Sequence, residues 1–278
     1  MPPVLDLEMV ETVEAVLLVA AEAATASFEM ARRTHRREEL AEIIGLGGDG
    51  TPTSRLDQLV DEAVLAATEH ARMNVLSEEA GWVDRGSAFT LVVDPVDGTA
   101  NALAGVPICT FSGAVVVDDQ PAVALTRWLD TGRDWLVRAG APSDEAWCTT
   151  GRTALDGAAV SLLRPQATTR AAWSRVADQA ARIRILSCST FEAVLVCTAA
   201  TDAFADPGGE VHRYVDLVAA QLYAAAAGAV VDDVLGRPID FDTDLTRRWS
   251  GIVAATPELA SELRRVITDD AEAQVPIA

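Results

Sequence analysis

The sequence predicts a layered α/β fold, and three observations carry that reading. Apolar residues recur at helical spacing near the N-terminus, short β-branched runs begin at residue 74, and strands then alternate with helices through both halves. No internal repeat or low-complexity linker interrupts the 278 residues. The expected organisation is an N-terminal α/β half over 1–150 and a C-terminal one over 151–278, joined in one compact unit.

The elements follow in order. Residues 4–44 read as one or two helices, because Val10, Val13, Leu17, Ala20, Ala24 and Phe28 share a face from which Glu8, Glu11, Glu22 and Glu29 are absent. The glycine-rich run 45–52 is a loop, and a second helix spans 54–72. Strands are expected at 74–77, 89–93, 112–117, 122–128 and 135–138. Beyond residue 150 come a helix at 168–181, a strand at 183–186, a helix at 190–199 and a strand at 203–205. An alanine-rich helix at 215–228 and strands at 230–233 and 251–255 close the set.

Composition bounds the function. Acidic residues outnumber basic ones 42 to 22, a net charge of −20, and every basic residue is arginine. Codon bias in a GC-rich genome and salt adaptation each account for the missing lysine. Such a negative surface repels a nucleic-acid backbone, which argues against nucleic acid as a partner. It would also repel a phosphorylated substrate unless cations neutralise the charge locally. Cys109, Cys148, Cys188 and Cys197 form no CxxC pair, so neither a disulfide framework nor a zinc ribbon is indicated. The start turns acidic at Asp6 and Glu8, unlike a signal peptide, and the apolar stretch 15–26 is broken by Glu22 and too short to span a bilayer. A soluble cytoplasmic protein with no membrane partner is expected.

The segment Leu91-Val92-Val93-Asp94-Pro95-Val96-Asp97-Gly98-Thr99 holds the densest chemistry. A buried strand delivers Asp94 at its carboxyl end, where ligand sites in α/β sheets form. Pro95 stiffens the turn that returns Asp97 to the same side. Paired carboxylates suit Mg²⁺, a hard cation that takes oxygen ligands. Gly98 and Thr99 open a helix through Asn101 whose free N–H groups can receive a phosphate. A plainer account is an aspartate turn capping a helix. Three further acidic elements stand out: Glu78 and Glu79 after the 74–77 strand, Asp216 at the head of the alanine-rich helix, and Asp57 early in the helix after the glycine run. Singly, these read as surface charge or helix caps.

Together, and in order, they resemble the inositol monophosphatase family. Asp94-Pro95-Val96-Asp97-Gly98-Thr99-Ala100-Asn101, followed by Gly105-Val106-Pro107, is similar to the family's first signature, D-P-[IV]-D-G-T-x-N with G-x-P after it. Ser77-Glu78-Glu79-Ala80-Gly81 resembles the S-E-E-x-G of the archaeal fructose-1,6-bisphosphatase/inositol monophosphatase branch. Residues 201–206 and 215–220 resemble its D-A-F-x-D strand and second signature. The resemblance implies an alternating αβαβα sandwich, a homodimer, and Mg²⁺-dependent hydrolysis of a small phosphate monoester by a metal-activated water. It implies two or three Mg²⁺ ions on Glu78, Asp94, the Val96 carbonyl, Asp97 and Asp216, with Glu78 also catalytic. Thr99 and Asp57 would position the attacking water, with Asp49 as the alternative to Asp57. Gly98, Thr99, Asn101, Arg184, Ser187 and Arg213 would meet the substrate.

The chain departs from the family pattern at Leu186-Ser187-Cys188-Ser189-Thr190, where relatives carry a G-[ST]-A-A-like turn, and at Ala226-Ala227-Gly228-Ala229 in place of E-A-G-G. Those departures keep a 3′-phosphonucleotide, histidinol phosphate or a specialised biosynthetic ester open beside inositol monophosphate and fructose 1,6-bisphosphate. A catalytically silent phosphate-binding scaffold is the alternative of a different class. His35, His70 and His212 are isolated and assigned to no metal, His212 being read as a rim residue. The six tryptophans read as core or interface.

Overall fold

The computed structural model describes residues 7–140 and 146–269. Five layers alternate. The outer helices α1 (Leu7–Thr34) and α3 (Arg55–Thr68) cover one face of a six-stranded sheet. That sheet comprises β3 (Asn74–Ser77), β4 (Gly81–Val83), β5 (Phe89–Asp97), β6 (Thr110–Val117), β7 (Gln120–Trp128) and β8 (Arg133–Arg138), in the order β4-β3-β5-β6-β7-β8. Its other face meets the inner helices α6 (Ser189–Cys197) and α7 (Tyr214–Ala227). These in turn pack on a five-stranded sheet of β9 (Ala159–Leu162), β10 (Arg182–Arg184), β11 (Ala203–Ala205), β12 (Val230–Asp233) and β13 (Gly251–Ala254), ordered β10-β9-β11-β13-β12. Helices α5 (Arg170–Gln179) and α8 (Pro257–Thr268) close the far side. The chain is an αβαβα sandwich.

Burial periodicity explains each layer. In α1, Val13, Leu17, Ala20, Ala24 and Phe28 are all buried, a single stripe facing the sheet. Helix α7 lies between two sheets and is buried almost all round, so its sequence is apolar without a polar face and rich in small residues that let both sheets approach. The outer α5–α8 layer seals a third core around Leu162, Val176, Leu259 and Leu263.

Several boundaries differ from expectation. The glycine-rich run is not wholly loop: β1 (Ile43–Leu46) and β2 (Pro52–Ser54) pair as an antiparallel hairpin, leaving only 47–51 as the turn. The first helical region is two helices, the second of the expected options, with a break after Thr34 and a short α2 (Arg37–Leu40) that ends before residue 44. Strands β4 and β9 and helix α8 were not expected. The last had a legible signal: Thr256 caps the helix by accepting from the Leu259 amide at 3.2 Å, and Pro257 occupies the first turn. Among the described residues, no helix is long and apolar enough to cross a membrane.

Candidate active site

The site forms where β3 and β5 end beside the start of α7. Strand β5 pairs parallel to β3 and antiparallel to β6, and its register with β6 slips between Asp94↔Ser112 and Asp97↔Thr110. Three steps on one strand oppose two on the other, a bulge that re-aims the side chains. It counters the two-residue alternation that would otherwise send Asp94 and Asp97 to opposite faces. Gly98 then caps the six-residue α4 (Thr99–Ala104) at φ 88°, and the Asn101 and Ala102 amides close on its carbonyl. A Cβ at Gly98 would lie 2.8 Å from the Ile108 carbonyl oxygen, so both the left-handed backbone and the close approach require glycine.

Thr99 and Asp57 meet across 42 residues. The Thr99 hydroxyl lies 2.7 Å from Asp57 Oδ1 and 3.0 Å from the Val96 carbonyl. Asp57 is the third residue of α3 and completes a capping box: its Oδ2 accepts from the Ser54 hydroxyl at 2.7 Å and the Ser54 amide at 3.2 Å. One carboxylate oxygen caps the helix and the other holds Thr99. Asp49, the alternative, lies elsewhere, accepting from Thr51 within the hairpin turn and from Arg213 and Arg248. Gly48 fixes that turn, because its amide donates to the Glu78 and Glu79 carbonyls and a Cβ there would sit 2.3 Å from Gly81 Cα.

The four carboxylates carry most of the electrostatics. Asp94, Asp97 and Asp216 are buried and Glu78 is half-buried. Burial, followed by repulsion from Glu78, Asp97 and Asp216, pushes Asp94 well above the usual carboxylate range. Burial also raises Asp97, although Thr190 donates to it from both its amide and its hydroxyl at 2.7 Å. Burial raises Glu78 to about 7 against the pull of Arg213. Asp216 alone of the four ends below its ordinary value: burial works upward, but the Arg213 guanidinium and its hydrogen bonds outweigh it. Four acidic side chains and the Val96 carbonyl form an all-oxygen donor set, which fits a hard divalent cation. As the side chains stand, no three acidic, histidine or cysteine groups among the described residues are arranged to hold one. Asp94 accepts from the Val96 amide and Asp97 from Thr190, while Glu78 and Asp216 share the Arg213 guanidinium.

The remaining candidates have varied placements. Arg213 caps α7 and reaches Asp216, Asp49 and Glu78. Arg184 ends β10, half-buried, with Nη1 buried and without a hydrogen-bond partner among the described residues. Ser187 is exposed at φ 57°, so the turn keeps a left-handed residue without glycine. Asn101 spends its amide N–H groups on the Ile108 and Leu186 carbonyls at 2.8 and 2.7 Å, tying α4 to that turn. His212 is not a rim residue: it is 1% exposed, accepts from the Gly251 amide at 3.1 Å and meets the Phe204 ring edge-on. Glu192 was missed. It is fully buried in α6, accepts from the Leu186 amide, and is pushed by burial to about 8. A glutamate inside the apolar run Phe191–Val196 was its available signal.

The sequence model of the inositol monophosphatase family matches residues 8–271. This chain belongs to the inositol monophosphatase family. It is similar to a fructose-1,6-bisphosphatase of Pyrococcus furiosus, at 28% identity over 78% of this chain and 84% of that one. It is also similar to a fructose-1,6-bisphosphatase/inositol-1-monophosphatase of Methanothermobacter thermautotrophicus, at 31% identity over 83% and 88%. A crystal structure of an inositol monophosphatase–fructose 1,6-bisphosphatase shares the fold, with a TM-score of 0.80 at 22% identity, covering 91% of this chain and 98% of that one.

Proposed function

We propose that this chain is a phosphoric monoester hydrolase acting on an inositol monophosphate or a fructose 1,6-bisphosphate-like sugar phosphate with Mg²⁺. Family membership supports the reaction class, and the names of the two curated relatives support the substrate class. The observation that carries the mechanism is the Thr99–Asp57 contact at 2.7 Å beside four acidic side chains. Glu78, Asp94, the Val96 carbonyl, Asp97 and Asp216 would hold two or three Mg²⁺ ions. Bound there, the ions would offset the charge of the phosphate and lower the pKa of a water.

The chain's own residues supply positioning. Asp57, fixed by Ser54, accepts a hydrogen bond from the Thr99 hydroxyl and leaves the Thr99 oxygen as an acceptor for the attacking water. With the Asn101 and Ala102 amides already closed on the Gly98 carbonyl, the Gly98 and Thr99 amides would receive the phosphate, and Asn101, Arg184, Ser187 and Arg213 would contact the rest of the substrate. Phosphoryl transfer needs charge neutralisation and alignment more than covalent help, so no protein nucleophile is invoked. The altered 187–190 turn supports testing phosphonucleotides and histidinol phosphate as well. Phosphate release from that panel, with and without Mg²⁺, tests the reading; no release from any ester would favour the silent scaffold. We further propose a cytoplasmic homodimer, which light scattering at monomer mass would refute.

A further inference from the structure

The guanidinium of Arg213 stands among the groups assigned above to the metal. Its Nε and Nη2 lie 3.0 Å from Asp216 Oδ2 and Oδ1, so both carboxylate oxygens are engaged in a paired fork. The Arg213 backbone amide adds a second donor to Oδ2 at 2.6 Å. On its other side Nη1 donates to Glu78 Oε1 and lies 2.9 Å from Asp49 Oδ2. One cation therefore bridges acidic residues on three separate elements: the hairpin turn, the end of β3 and the start of α7.

We propose that Arg213 is a built-in counter-cation of the metal-free site, and that Mg²⁺ must displace it from Glu78 to bind. This rests on the metal reading above. Glu78 and Asp216 are both held by the Arg213 guanidinium, and no three acidic side chains among the described residues are arranged to hold a metal ion. Arg213 accounts for that arrangement. It draws Glu78 and Asp216 onto its own donors and stabilises negative charge that would otherwise repel. Two cations cannot both take the same face of Glu78, so binding is an exchange.

Asp49 makes the exchange feasible. It is buried, already touches Nη1, and sits on a turn pinned by Gly48 against Gly81. A guanidinium moved off Glu78 keeps a charged partner there and is not stranded, which would be costly in a site this buried. Arg213 thus stabilises the empty protein and weakens the metal's apparent affinity by the same contacts.

The test is Mg²⁺ titration calorimetry on the metal-free full chain, paired with melting curves. Arg213→Met should bind Mg²⁺ on the order of tenfold more tightly, the scale of one charge-assisted hydrogen bond, and melt lower without metal. Arg213→Lys keeps the charge but loses the fork, and should tighten binding about threefold by the same reasoning; it also covers a Met variant that does not fold. Weaker or unchanged Mg²⁺ binding in the variants would overturn the proposal and make Arg213 a support for Asp216 in its liganding position. A parent chain that binds no Mg²⁺ removes the metal reading itself, and this inference with it.

Discussion

The two sides of the site satisfy their polar groups in opposite ways. On the α3–α4 side, the Ser54 and Thr99 hydroxyls are neutral donors to the one Asp57 carboxylate, each at 2.7 Å. Those bonds need no rearrangement for the proposed chemistry. On the α7 side, Glu78 and Asp216 are satisfied by a guanidinium, a singly charged partner of the same sign as the proposed divalent metal. A group that positions water can be wired in permanently, because the proposed chemistry asks it for no change of partner. A group that binds a cation needs a counter-charge that can leave.

The largest effect should come from the carboxylate side. Asp94→Asn is expected to lower metal-supported turnover by roughly 10³-fold, a scale set by losing one preorganised electrostatic group. The same change relieves the repulsion among Asp94, Glu78, Asp97 and Asp216, so without Mg²⁺ the variant should melt higher than the parent. Near-parent turnover at moderate Mg²⁺ would remove Asp94 from the metal assignment.

On the wired side, Thr99→Ala leaves every proposed metal ligand in place. It should reduce kcat by about 10²-fold with little change in KM. Asp57→Asn should fall comparably, and the double variant should be scarcely worse than either, because the two act through one contact. Thr99→Ala that merely melts lower at an unchanged rate would assign Thr99 a structural role only.

Smaller effects probe the region behind the 187–190 turn. Glu192 takes up its proton more readily in the folded chain, with a value near 8 against an ordinary 4.5. The folded state therefore holds a proton that the unfolded state has lost, and stability falls as pH rises from about 4.5 through about 8. Glu192→Gln keeps an acceptor for the Leu186 amide but cannot ionise. Its melting temperature should match the parent near pH 5 and exceed it at pH 9; parallel curves would count against this account. Smallest of all, Ser187→Gly should stabilise by roughly 1 kcal/mol by relieving the left-handed backbone at φ 57°, as a urea midpoint would show.

Much of the architecture was legible in the sequence. The stripe on α1, the β-branched runs of β5 to β7 and the alanine-rich α7 each carry their burial pattern within a dozen or so residues. The Asp94–Thr99 segment names its own turn through Pro95 and Gly98. Strands β4 and β9 escaped because β4 opens on a glycine and β9 mixes one valine with alanine and serine, so neither shows a β-branched run.

What the sequence by itself determined is thus local: which segments are strand or helix, and which short runs put acidic residues at their ends. Only tertiary structure decided which acid meets which partner. Thr99 finds Asp57 and not Asp49 across 42 positions, and Arg213 reaches Glu78 across 135 and Asp49 across 164. The physical reason is that a propensity or periodicity is written in neighbouring residues. A charge pair is written in the distance between elements, which the packing of helix layers on both sheets sets.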